Sequence, residues 1–204
     1  WALEIASHLV DMVYYASVTE NNQIVQDSKQ QLRNGIVVPR DKIDSYIQEA
    51  DSMLIGPGLP RPEGQEPGDD DTKELTERLL KSYPHKKWVI DGGSLQTMDP
   101  NLIPPEAILT PHHKEFFKLF EITNYKLQIT SKTPDTKYKI QNTNGKEQAK
   151  MEELPKLVQS YSKQYNCFIV LKGETDIVAS PTEIVTIPGG NAGLTKGGTG
   201  DVLA

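Results

Sequence analysis

A chain of 204 residues with one cysteine, Cys167, has no internal disulfide to hold it together. Cys167 stands against the apolar run Phe168-Ile169-Val170-Leu171 and reads as a small core residue in a reducing compartment, the cytoplasm. Nor is there a basic surplus. With 22 Lys and Arg against 28 Asp and Glu, the formal net charge of −6 argues against nucleic acid as a main partner, though not against a local pocket for a small anion. No run of about eighteen apolar residues exists and no signal peptide is recognisable, so membrane insertion is not expected. Two phosphate motifs are missing too. No G-x-G-x-x-G occurs, and Lys196 precedes its glycines where a P-loop lysine would follow them.

What is present is an ordinary globular balance, 36% hydrophobic and 25% charged, enough for one domain with a substantial core. Strand and helix signals alternate. Leu3, Ala6, Leu9 and Val10 fall at helical spacing, and Met12 to Ala16 reads as a strand. Glu20 to Asn34 is polar and gives little guidance, and Ile36-Val37-Val38 is a short apolar run before Pro39. Asp41 to Asp51 reads as a helix burying Ile43, Ile47 and Ala50, and Met53-Leu54-Ile55 as a buried strand opening into Gly56-Pro57-Gly58-Leu59-Pro60. Asp69-Asp70-Asp71 suits the start of a helix carrying Leu75, Leu79 and Leu80 that Pro84 ends. Trp88-Val89-Ile90 is a strand delivering Asp91-Gly92-Gly93, and Ala107-Ile108-Leu109 is another. Thr110 is the expected N-cap of the helix bearing Phe116, Phe117 and Phe120. Ile122 to Ala149 is polar and aperiodic and receives no assignment. Leu154 to Tyr161 marks a further helix. Phe168 to Leu171 is a strand running into Lys172-Gly173-Glu174-Thr175-Asp176, followed by a hairpin about Ser180-Pro181-Thr182. Such alternation predicts an α/β fold, a mostly parallel sheet with helices on both faces in three layers.

The chemistry concentrates at the end, Asn191-Ala192-Gly193-Leu194-Thr195-Lys196-Gly197-Gly198-Thr199-Gly200-Asp201. Glycines so dense bring backbone N–H groups close to something negative, and a helix expected to begin at Val202 adds its positive end. Phosphate is the natural anion. A carboxylate beside a phosphate is repelled as a binder, but Asp201 is well placed as a base removing a proton from an attacking hydroxyl. Asp69-Asp70-Asp71 reads as solvated helix-start charge rather than a metal site.

Gly197-Gly198-Thr199-Gly200-Asp201 resembles the signature of the ribokinase-like superfamily. With Ile55-Gly56-Pro57-Gly58-Leu59, Thr110-Pro111-His112-x-x-Glu115-Phe116 and Leu171-Lys172-Gly173 in the same order, the chain is most similar to the ADP/ATP-dependent NAD(P)H-hydrate dehydratases. The resemblance implies that Asp201 is catalytic and that Lys172, Gly173, Glu174, Thr175, Asp176, Gly198, Thr199 and Gly200 bind the nucleotide. It further implies that Gly58, His112 and Asp201 meet the hydrated nicotinamide. ADP or ATP would be the co-substrate, with Mg2+ accompanying it, and hydrated NADH or NADPH the substrate of an enzyme expected to be a homo-oligomer. Two departures stand out. Glu174-Thr175-Asp176 replaces the family's usual A-G-T, and Asp91-Gly92-Gly93-Ser94-Leu95 stands where relatives often have D-A-D-A-L, so Gly93 replaces an acid. Residues 1–204 read as one ribokinase-like domain, truncated at both ends. The alternatives are a small-molecule kinase of the same superfamily, acting on a hydroxymethylpyrimidine, a hydroxyethylthiazole or a sugar, and an inactive nucleotide-binding subunit.

Overall fold

A computed structural model describes residues 2–28, 33–60, 71–122, 125–129, 138–142, 148–149, 153–189 and 200. Its centre is a six-stranded sheet of order β11-β10-β9-β5-β4-β3. Strands β3 (Ser52–Ile55), β4 (Lys87–Ile90), β5 (Ile108–Leu109) and β9 (Phe168–Leu171) run parallel. The hairpin β10 (Thr175–Ala179) and β11 (Ile184–Pro188) closes one edge antiparallel, as the turn at Ser180 predicts. The α/β class and the mostly parallel sheet are therefore present.

Parallel neighbours need crossovers, supplied here by α4 (Thr72–Ser82), α5 (Gly92–Thr97), α6 (His113–Leu119) and α7 (Glu153–Tyr165). Because β3, β4, β5 and β9 stand in chain order, right-handed crossovers put all four helices on one face. The packing agrees. Ile55, Ile90, Leu109, Ile169 and Ala179 pair across five strands and are buried in one cluster with Leu79, Leu80, Leu95, Phe116, Leu154 and Val158 from those helices. The alternate residues point the other way. Leu54, Val89, Ile108 and Phe168 form the next row, and Leu54, Ile108 and Phe168 remain 40%, 39% and 39% exposed.

Asp71 caps α4 by accepting from the Glu74 N–H, as an acid-rich helix start should. Asp69 and Asp70 lie outside the described residues. Strands β1 (Val13–Tyr15) and β2 (Gly35–Val37) make a separate parallel pair behind α1 (Ala2–Leu9). Between them the polar stretch that gave little guidance forms α2 (Thr19–Asp27), and α3 (Ile43–Glu49) follows with Ile47 buried. The unassigned segment after Ile122 contains a small antiparallel sheet of β6 (Tyr125–Ile129), β7 (Tyr138–Asn142) and β8 (Gln148–Ala149).

One expectation needs correcting. His112, not Thr110, is the N-cap of α6: its Nδ1 accepts from the Glu115 N–H at 3.1 Å, and Glu115 Oε2 accepts from the His112 N–H at 2.9 Å. This is a capping box with imidazole in the usual place of a hydroxyl. Thr110 lies two residues short, its buried Oγ1 without a hydrogen-bond partner among the described residues.

Candidate functional site

The C-terminal ends of β3, β4, β5 and β9 meet at one edge of the sheet, where open α/β sheets hold ligands. The turn after β3 and the start of α5 after β4 are pressed together. A Cβ on Gly56, at φ +112°, would lie 1.7 Å from the Asp91 carbonyl oxygen; one on Gly93 would lie 2.6 Å from that of Leu59. Only glycine fits both places. Gly93 is thus more than a lost acid: a side chain there requires the Leu59 backbone to retreat.

This contact also redirects Asp91. It occupies the N-cap position of α5 yet makes no side-chain cap hydrogen bond. The Gly93 N–H, a proton that a capping carboxylate would take, donates to the Gly56 carbonyl at 3.2 Å. Asp91 Oδ1 instead accepts from Lys172 Nζ at 2.8 Å, with side-chain exposures of 5% for Asp91 and 20% for Lys172. Lys172 itself is fixed from behind, its N–H donating to the Pro111 carbonyl at 2.8 Å while it forms an isolated parallel bridge with His112.

Gly200 completes the group. It is helical, and a Cβ on it would stand 3.4 Å from Lys172 Nζ and 3.8 Å from Asp91 Oδ2. Four places distant in sequence, the ends of β4 and β9, the Pro111-His112 turn and Gly200, therefore converge. The His112 ring is half-exposed, and its Nδ1 is occupied as acceptor, which in the neutral ring puts the proton on Nε2. Glu115 is buried behind it, with Oε1 accepting from Gln96 Nε2 at 3.0 Å, so α5 steadies the start of α6.

The other expected residues divide. Asp176 Oδ1 accepts from the Gly173 N–H at 2.8 Å, so this carboxylate shapes its own turn. Glu174 is exposed beside it, and Thr175 opens β10. Gly58 has φ +73° and an open surrounding. Gly198, Thr199 and Asp201 lie outside the described residues. The sequence places Asp91 at a strand end among the residues expected to converge on one sheet edge, but its pairing with Lys172 was not legible because the two are 81 residues apart.

The model of a protein family described as NAD(P)H-hydrate dehydratase matches residues 2–204. The chain belongs to the NAD(P)H-hydrate dehydratase family. Among curated members, it is 29% identical over 165 residues to a bifunctional NAD(P)H-hydrate repair enzyme Nnr of Archaeoglobus fulgidus, covering 80% of this chain and 26% of that protein. A ribokinase-like superfamily protein from Enterococcus faecalis shares the fold with a TM-score of 0.66 at 21% identity, over 99% of this chain and 61% of that one. The ADP/ATP-dependent NAD(P)H-hydrate dehydratase of Bacillus subtilis, co-crystallised with ATP and Mg2+, gives 0.60 at 20% identity, over 99% and 64%. The chain spans about a quarter of that curated relative and under two thirds of either solved chain. Family and fold are those the glycine loop and its companion motifs imply.

Proposed function

We propose that the protein dehydrates hydrated NADH or NADPH at the expense of ADP or ATP, restoring the reduced nicotinamide. The observation that carries this reading is the meeting of Lys172, Asp91 and Gly200 at the C-terminal edge of the sheet, one residue before Asp201. The Lys172 ammonium stands there beside a glycine that adds no side chain, a setting for the terminal phosphate of a nucleotide.

In this reading Asp201 takes the proton of the ring hydroxyl as its oxygen attacks the terminal phosphorus, forming an O–P bond and releasing AMP from ADP or ADP from ATP. The N–H groups of Gly198, Thr199 and Gly200, with Lys172, stabilise the charge on the transferring phosphoryl oxygens. The carbon–oxygen bond then breaks, the nitrogen lone pair expelling phosphate, and loss of a ring proton restores the dihydronicotinamide. Gly173, Glu174, Thr175 and Asp176 form the turn along the nucleotide; Gly58 and His112 face the nicotinamide, where His112 Nε2–H is a donor. A magnesium ion would arrive with the nucleotide, held mainly by its phosphate oxygens, and needs few protein ligands. When bound, such an ion offsets phosphate charge. The protein would work in the cytoplasm as a homo-oligomer, with residues 1–204 part of one ribokinase-like domain. Among the described residues no helix is long and apolar enough to cross a membrane.

Full-length protein given hydrated NADH and ADP or ATP is expected to release inorganic phosphate and regain the absorbance of the reduced nicotinamide. Asp201→Asn should lower that turnover at least about a hundredfold, as for other positioned bases, while still binding nucleotide. Accumulation of a stable phosphorylated alcohol would make the protein a kinase, and near-normal turnover by the variant would remove Asp201 from its role.

A further inference from the structure

We propose that Asp91 is a positioning residue for nucleotide binding, acting through Lys172: it holds the ammonium beside Gly200. This rests on the nucleotide reading above.

The pair is anchored at both stems. The Asp91 N–H donates to the Ile55 carbonyl at 3.0 Å and its own carbonyl abuts Gly56, while the Lys172 N–H is held by the Pro111 carbonyl. A lysine side chain otherwise samples many rotamers, and fixing it on binding weakens affinity. Asp91 removes that cost in advance. The carboxylate is available because the Gly56 carbonyl has taken over the Gly93 N–H, leaving an N-cap acid with no capping bond to make. Its contact with Lys172 uses one of three ammonium protons, and the ammonium stands beside Gly200 with donors left for phosphate oxygens. Stability alone is a poor reason for such a pair, because an ion pair out of water gains little over apolar packing. Beside Gly200 the same pair is preorganisation.

The decisive measurement is a double-mutant cycle on the full-length protein, with ADP dissociation constants from titration calorimetry and thermal melts confirming that each variant is folded. Asp91→Asn is expected to weaken ADP about tenfold when Lys172 is present and to change it less than about twofold in a Lys172→Met background, the non-additivity of contacting residues that act together. Equal weakening in both backgrounds would overturn the proposal, giving Asp91 its own contact with the nucleotide or its cation. Tighter binding in both would overturn it as well, reducing the carboxylate to a source of repulsion. Should Asp91→Asn not fold, Asp91→Glu, which keeps the charge and displaces it by one methylene, completes the same cycle. Failure of the wild-type protein to bind ADP or ATP would defeat the nucleotide reading itself, and this proposal with it.

Discussion

At the scale of residues, two side chains show what burial does to acid–base chemistry. Cys167 is fully buried, and burial pushes its thiol up to about 12, so no thiolate is present for chemistry at neutral pH. The core role read from its apolar neighbours is the one it has. His113 is lowered from its ordinary value, first by burial and then by neighbouring His112, with Asp176 acting the other way. The sign follows from proton uptake. Below about pH 6.5 an unfolded chain protonates this histidine before the folded one does, so stability present above that pH is lost as pH falls through the window down to the folded value. His113→Gln should flatten that decline, by at most about 1.4 kcal/mol per pH unit. Urea titrations of both proteins between pH 5 and 7.5 check this, and parallel curves would exclude His113. Next door, the resemblance implied a substrate contact for His112, and its part as a helix cap was not foreseen. Imidazole is not among the usual caps, and the signal was Glu115 three residues on.

At the scale of elements, most of the chain was legible where apolar runs were bounded by glycine and proline: β3, β4, β5, β9 and the β10–β11 hairpin lie where those runs fall. The segment after Ile122 was not, and topology explains its presence. Phe116 meets Tyr161 at 5.6 Å between ring centres, and Phe120 meets Tyr165 at 5.2 Å, so α6 and α7 run side by side in the same direction. Both descend from the site edge toward the start of β9. Chain connecting two such helices must climb back the length of α7, about 20 Å for its 13 residues, and no periodicity announces that requirement. Replacing residues 123–152 with a three-residue linker should therefore prevent α7 from docking, because the climb needs at least about six extended residues. A ten-residue Gly-Ser linker should retain a cooperative melt. Equal melting of the two would show that the helices do not run in parallel.

At the scale of the whole molecule, alternation of strands and helices announced the α/β class, but a one-dimensional pattern does not say which face each helix covers. Strand order decides that. Among the described residues the crossover helices share one face, and the row Leu54, Val89, Ile108 and Phe168 lies on the other. Produced as these 204 residues alone, the chain should enhance the fluorescence of an anilinonaphthalene dye. Ile108→Thr, in the middle of the row, should reduce that enhancement with little change in melting temperature, because Ile108 is not part of the buried cluster. Unchanged dye binding would locate the sticky surface elsewhere. Trp88, one residue before Val89 on β4, is sealed on the opposite side. The sheet thus carries an intrinsic emitter beneath it and a dye-accessible strip above, and intrinsic and extrinsic emission can follow its two sides separately through the same denaturation.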